Sequence, residues 1–442
     1  GALVTPDRDL ARRVKAALSR WNVVIDDSAG QPVADSPTGV FLRLVADAVA
    51  EDFAPVPLLS LLKHPFCAAG QDRLEFLGHV RALDRDILRG PRPAGGLGSI
   101  AALIKEQIEN KAAPVTLGPW WDRLSPVLEP LTAPMHLGQA GLGDVIEAHL
   151  ATAEALAATD TTPGAETLWR EEAGEALAGF FEEWRAMADR AAPLPPRRYL
   201  ALLEEMLAGQ VVRPRYGTHP RLSILGPLEA RLVQADVLVL GGLNEDSWPP
   251  EADADPWLSR PMRREIGLPL PERRTGLSAH DFVQGAAAPV VYLTRSEKSG
   301  GAPTRPSRWL LRLDALIGKE NWPRPPVLAW HRELDAPKTA PERVKRPAPK
   351  PPVALRPRQL SVTQIETWRR NPFAIYADKI LRLRPLDELD ADPGGRDRGI
   401  IIHDILDQFL KEPVPADRAE AHAKLIRLGR QEFARYAHRP VI

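Results

Sequence analysis

Apolar positions recur with two different periods along the chain, and the change between them divides it into regions. Near the start, Leu3-Val4 is a short apolar run, and Leu10, Val14, Ala17, Leu18 and Trp21 follow at the spacing of one helical face. Thr5 and Pro6 suit the N-cap and first helical positions, because a hydroxyl can accept from a free helix N–H and proline has none to leave unsatisfied. Val23-Val24-Ile25 reads as the next strand, so the opening predicts strand, helix, strand. Asp26-Asp27-Ser28-Ala29-Gly30 then reads as a helix-approach turn in preference to a metal or phosphate site, since Asp and Ser bond their own backbone well there. A further helix carries Phe41, Leu42, Val45 and Val49 on one side.

Short apolar runs return at Leu222–Leu225, Asp236–Leu240 and Val290–Leu293. The second is almost wholly apolar and is closed by Gly241-Gly242, as expected of a central strand covered on both faces. Between these groups, residues 55–210 have helical spacing, little strand signal and breaks marked by Pro65, Pro91, Pro114, Pro130, Pro163 and Pro193. Leu168, Trp169, Leu177, Phe180, Phe181 and Trp184 form a broad stripe there, which fits a core better than a base-stacking surface. The fold class expected is therefore α/β, a parallel sheet built from 1–54 and 211–335 with 55–210 as a helical insertion. Residues 336–358 hold seven prolines, seven Lys/Arg and one Glu, and predict an extended basic linker. After it, Ser361 and Gln364 form a capping-box pair with Ile365 and Trp368 on the side expected to be buried. Asn371-Pro372 starts another helix with Phe373, Tyr376, Ala377, Ile380 and Leu381 as its stripe. In 398–410, Ile402, Ile405, Leu406, Phe409 and Leu410 share a face bordered by His403.

Composition narrows the class. At 442 residues, 44% apolar and 26% charged, the chain is globular and long enough for two or three domains. Lys+Arg and Asp+Glu balance at 58 each, so attraction to a polyanion must come from local clusters. The single cysteine, Cys67, excludes internal disulfides and fits a reducing compartment. No leader pattern and no apolar run near 18 residues occurs, so a cytoplasmic protein without a membrane partner is expected.

Candidate chemistry falls in three places. Leu243 to Pro250 puts two carboxylates, an amide and an indole beyond the carboxyl end of a central strand, where open sheets hold ligands, though on the residues alone a capped, turn-forming loop is the favoured reading. The stretch from Ala254 sets Arg260, Arg263, Arg264, Arg273 and Arg274 around Trp257, a pattern that suits phosphate contact and base stacking, or a solvated helix face. His403 is a lone histidine, and such residues are usually structural.

These residues also resemble a known family. GPLEAR (226–231) followed by ADVLVLGGLNEDSWP (235–249) is similar to motif V and its next strand in the second RecA-like domain of UvrD-type superfamily 1 helicases, in the form found in the AddB family. The opening LVTPDRDLARRV resembles the same domain around motif IV, and VYLTR (291–295) resembles the end of motif VI. That likeness implies nucleotide or motor roles for Glu229, Arg231 and Arg295, although His280 to Pro289 departs from the arginine-rich helix of active motors. Residues 359–442 resemble the start of a RecB-family PD-(D/E)XK nuclease domain, whose G-x-x-x-H element matches Gly399 and His403 and implies His403 as a metal ligand. The resemblance further implies Mg²⁺ for a complete nuclease, ATP for the complex, DNA and an AddA-type subunit as partners, and a role in double-strand break repair. No GxxxxGK[ST] loop and no Asp…Glu-x-Lys arrangement after His403 occurs, so a fragment without complete activity is expected. With no cysteine after Cys67, no iron-sulfur cluster is expected. A non-catalytic scaffold of the same complex, without DNA contact, is the alternative.

Overall fold

The computed structural model describes residues 1–435 apart from 136–138, 189, 196–197, 214–217, 252–254, 324, 384, 393, 412 and 416. The chain forms two compact units, Gly1–Ser36 with Ala208–Ala336 and Pro37–Leu207 with Pro337–Ile442. The first contains five parallel strands: β1 (Ala2–Val4), β2 (Asp26–Asp27), β3 (Ser223–Leu225), β4 (Val237–Leu240) and β5 (Val290–Leu293). Their order is β2-β3-β1-β4-β5, with Leu3 opposite Ile224 on one side and Val239 on the other. From β1 the chain runs outward to the edge strand β2 and then back through β3 and past β1 to β4 and β5, so the loops leaving β3 and β4 flank β1 at the carboxyl edge.

Both faces of this sheet are covered. Ala2, Val4, Leu238 and Leu240 pack with Trp248, Phe282 and Trp309, while Leu3 and Ile224 pack with Ala11 and Ile25. The second group draws in the helix Arg8–Ser19, which crosses close to Gly241, where an added Cβ would lie 2.7 Å from Leu3 and 3.0 Å from Leu10. Gly242 next to it has a φ of 73°, so both glycines of the pair are needed for the strand to end there.

Two local expectations shift. Thr5 N–H bonds the Leu225 carbonyl at 3.0 Å, which prolongs β1, and the N-cap is Asp7, whose side chain accepts from Leu10 N–H. Trp21, Asn22 and Val23 close the helix end through bonds to Leu18 and Ser19 carbonyls, so Val23–Ile25 is no strand and Trp21 is exposed. β2 forms instead at Asp26–Asp27, where buried Asp27 is paired with Arg8 at 2.6 Å and Lys15 at 3.9 Å.

The second unit is helical. Pro37–Ala50, expected from the sequence to belong with the sheet, packs here against Pro55–Lys63 and Leu142–Ala157, because Phe41, Leu42, Val45 and Val49 are all buried. The expected break at Pro130 is absent: the helix Leu117–Met135 runs through Pro126, Pro130 and Pro134. These prolines lie four residues apart. Pro126 and Pro130 are exposed, and Leu124, Leu128 and Leu131 keep the opposite side buried. Carbonyls freed by the missing N–H groups can therefore reach water. Leu177, Phe181 and Trp184 are buried, in keeping with a core stripe.

In the last part of this unit, the Ser361/Gln364 capping box is formed, with bonds of 3.3 and 3.0 Å, and Asn371 caps the Pro372 helix. The expected buried faces are rotated. Ile365, Trp368, Phe373 and Leu381 are exposed while Ile375 is buried. Ile402, Leu406 and Leu410 are also exposed, because the helix Arg418–Arg435 packs on the Ile401, Ile405 and Phe409 side of Gly395–Lys411. Lys424 from that partner helix donates to the Phe409 and Pro413 carbonyls, satisfying the end of Gly395–Lys411. The acidic turn after 386 lies along Arg89–Pro91: Gly90 N–H bonds the Glu388 carbonyl at 2.9 Å and Ala391 N–H the Gly90 carbonyl at 3.0 Å. Among the described residues no helix is long and apolar enough to cross a membrane.

His149 joins three helices of the second unit. It is fully buried, with Nε2 2.9 Å from the Leu42 carbonyl and Nδ1 2.7 Å from the Tyr199 hydroxyl. A carbonyl only accepts, so Nε2 carries the proton and Nδ1 accepts from Tyr199. Burial lowers the imidazole pKa to about 4. The unfolded imidazole titrates near 6.5, so between pH 6.5 and 4 the unfolded chain binds the extra proton. The neutral side chain's stabilisation is complete above pH 6.5 and is lost as pH falls towards 4. Urea unfolding measured across that range should show this acid slope. His149→Gln should lose about 1–3 kcal/mol of stability at neutral pH and about half of the slope, the rest coming from His64, whose pKa burial also lowers to about 4; a variant with the wild-type slope would refute the assignment.

Candidate nucleic-acid interface

The carboxyl edge of the sheet is built from the loops after β3, β4 and β5. After β4, Leu243 N–H bonds the Thr294 carbonyl, Ser307 N–H the Leu243 carbonyl, and Asn244 Nδ2 donates to Ser296 Oγ at 2.7 Å. Glu245 accepts from Arg308 Nε at 2.9 Å and from its backbone N–H at 3.1 Å, and this pairing holds the carboxyl below the usual range. Trp248 Nε1 donates to the Gly241 carbonyl at 3.0 Å within the core. The polar groups of Leu243–Pro250 therefore satisfy neighbouring loops, which accounts for them as a turn; Asp246 alone among the acids is exposed.

The three residues matched to motor motifs fare differently. Glu229 is exposed at the start of a short helical turn, Glu229–Leu232, with its carboxylate beside Gly226, where an added Cβ would lie 2.3 Å from Oε2. On the other side of Gly226, its N–H donates to Ser28 Oγ at 3.1 Å, a contact that sequence spacing could not reveal across 198 residues. Arg231 is committed to Asp281 by two bonds of 2.6 and 3.0 Å, and its carbonyl accepts from Gln284. Arg295 is exposed beyond β5, bonding only the Ser296 carbonyl among the described residues. β1 and β4 lie between β3 and β5, so the sheet does not gather Glu229 and Arg295 into one cluster.

The basic stretch divides into struts and free groups; Ala254, at its start, lies outside the described residues. Asp255 accepts from Trp257 N–H at 2.9 Å and Leu258 N–H at 3.2 Å and pairs with Arg263; these bonds, that from Trp257 first and that from Arg263 second, lower its pKa. Arg263 also donates to the Pro269 carbonyl, so it braces the helix Arg260–Glu265 against the turn that follows. Arg260 pairs with Glu272 at 2.6 Å. Arg264, Arg273 and Arg274 are exposed and form no ion pair among the described residues. Trp257, in the loop that precedes the helix Arg260–Glu265, is 86% exposed. A hollow of about 560 Å³ lies against Asp255, Pro256, Pro269, Arg273 and Arg274. An indole free to stack and three unpaired guanidinium groups can hold a phosphodiester chain with its bases.

His403 is exposed on the helix Gly395–Lys411, and Asp407, one turn further on, is paired with Lys411 at 2.7 Å. Among the described residues no three His, Cys, Asp or Glu side chains converge as metal ligands. A divalent ion needs more than one such donor, so these residues do not fit a Mg²⁺ site and no chemical step is assigned to one.

The chain is thus an α/β protein with a five-stranded parallel sheet and a large helical part, and its residues 359–440 match the PD-(D/E)XK nuclease superfamily. Similar curated proteins are uncharacterized proteins of Rickettsia: one from Rickettsia felis is 25% identical over 248 residues, covering 55% of this chain and 29% of the relative. Others, from Rickettsia conorii and Rickettsia typhi, are 25% and 24% identical over 250 and 273 residues, covering 55% and 60% of this chain and 28% and 30% of theirs. The chain therefore spans under a third of the length of these relatives.

The Arg231–Asp281 geometry makes a direct prediction. Arg231→Gln and Asp281→Asn should each lower the thermal unfolding midpoint, and the double variant should lower it by less than the sum. Strict additivity in that cycle would show that the pair does not hold the Glu229–Leu232 turn to the helix Glu272–Ala286.

Proposed function

We propose that this chain is the DNA-handling part of a subunit of a heterodimeric ATP-dependent helicase-nuclease that processes double-strand breaks, similar to AddB, with an AddA-type partner supplying the main motor activity. The reading is carried by the nuclease-superfamily match of residues 359–440 on a chain whose parallel-sheet unit exposes Trp257 and three unpaired arginines within one stretch, 257–274. In this reading the sheet is a RecA-like second motor domain and 55–210 its helical insertion. Its task is to hold and guide DNA, with Arg264, Arg273 and Arg274 on phosphates and Trp257 against a base. Nucleotide hydrolysis is not assigned to it, because Arg231 is held by Asp281 and two strands lie between those that lead to Glu229 and Arg295. Metal-dependent cleavage is likewise not assigned to His403 alone.

Binding of a fluorescent 30-nucleotide single strand, followed by anisotropy over a salt series, tests this. Removing one arginine–phosphate interaction should reduce the slope of log K against log[salt] by about 0.7. Changing Arg264, Arg273 and Arg274 together to Gln should therefore flatten it by about 2. Absence of salt-dependent binding by the unaltered chain would instead favour a scaffold that meets only its partner subunit.

A further inference from the structure

A second exposed aromatic surface lies at the junction of the proline-rich segment and the nuclease-superfamily match. The helix Val362–Arg370 leaves Ile365 and Trp368 exposed, at 45% and 53%, although their spacing makes a face that ordinarily packs. Pro357, Arg358, Leu360 and Ser361 complete an open hollow of about 710 Å³ over that face, a size within the usual range of ligand sites. The charge around it has one sign. Residues 336–358 contribute seven Lys/Arg against Glu342 alone. On the helix, Glu366 is neutralised by Arg370 at 2.8 Å. Arg358 and Arg369 are exposed and form no ion pair among the described residues.

We infer that this hollow, with the basic segment leading to it, is a binding track for a single-stranded polynucleotide. The basic charge selects a polyanion. Trp368 adds what an acidic peptide would not need, an indole face beside an apolar floor on which an unpaired base can stack. A duplex keeps its base faces buried in its own stack, so the same surface offers it only the phosphate contacts. Arg358 lines the hollow with the indole and Arg369 follows Trp368 on the helix. Ahead of them Val353–Leu355 makes one short 3-10 turn and Arg356 donates to the Pro351 carbonyl, while the other Lys and Arg of 336–358 are exposed and form no ion pair among the described residues. The inference rests on the DNA-handling reading and deepens it by naming single strands as the substrate class and a second place where they bind.

The test compares a fluorescent oligo(dT) 20-mer with a duplex of equal length on the 442-residue chain. Trp368→Ala should weaken oligo(dT) binding on the order of tenfold and leave duplex binding nearly unchanged, while Trp368→Phe should retain most of the affinity. Arg358→Gln with Arg369→Gln should flatten the salt slope by about 0.7 for each arginine removed. Trp368 is half exposed, so its variants should keep the wild-type unfolding midpoint; if Trp368→Ala does not, the Phe and Gln variants decide. Oligo(dT) binding that is abolished in the Arg264/Arg273/Arg274 variant yet untouched by all these changes would overturn this track alone. Poly-glutamate competing as strongly as oligo(dT), equally in wild type and Trp368→Ala, would overturn it in favour of an acidic peptide. No polynucleotide binding by the unaltered chain would overturn both this track and the reading on which it rests.

Discussion

Parallel strands of two to four residues make too few ladder bonds to persist alone, so the sheet depends on apolar cover on both faces. That requirement sets the conformation of the residues around it. Leu238 and Leu240 point to the Trp248, Phe282 and Trp309 side, Val239 to the helix Arg8–Ser19, and the helix can approach only because Gly241 has no side chain. Trp248 is both a core residue and a hydrogen-bond donor to Gly241, so the loop leaving β4 is fixed by the packing that it completes. A larger residue at Gly241 would therefore disturb the helix, the strand end and the loop together.

Once those loops are fixed, their polar groups are largely used. Asn244 bonds Ser296, Glu245 bonds Arg308, Thr294 bonds Leu240 and Leu243, and Arg231 serves Asp281. The groups left for solution chemistry lie further along, on the two-helix segment 260–286, where Arg263 and Arg260 act as braces and the other arginines do not. A guanidinium already paired must give up that bond before it can meet a phosphate, so the unpaired residues are better suited to binding. This separation within one arginine-rich stretch follows from Asp255 and Glu272, which hold the braces in place.

Much of the sheet was readable because fully covered strands form uninterrupted apolar runs: Val237–Leu240 and Val290–Leu293 lie where such runs occur, as does Ser223–Leu225. β2 was not readable. Asp26-Asp27 is a poor strand sequence, and it is held by an ion pair to Arg8 that no local pattern records. The capping box was legible because its two residues are three apart, and its bonds are formed. Faces in the last hundred residues were misjudged, since periodicity tells which positions share a side but not which side meets a neighbour. Pro130 misled for a related reason: a proline breaks a helix when its freed carbonyl is buried, and here it lies on the wet side. For the candidate interface, sequence offered the arginines and Trp257 as one group, and only the acids 255 and 272 sort them.

The exposed apolar residues of the helix Val362–Arg370 differ from scattered surface leucines, which need no explanation. Ile365 and Trp368 are neighbours on one face, next to a hollow and shortly after a cationic segment of the chain, and a capping box keeps the helix formed although none of its residues is buried. An unpacked nine-residue helix is marginal on propensity alone, so its capping-box bonds and proline boundary matter more here than in the buried helices of the same unit. They preserve a preformed aromatic surface at little cost in ordering when a ligand arrives. The same economy applies to Trp257, whose turn is held by two backbone bonds to Asp255 while its ring stays in water. In both places the chain fixes the backbone under an indole and leaves the ring face open, which is the arrangement that stacking without sequence preference requires.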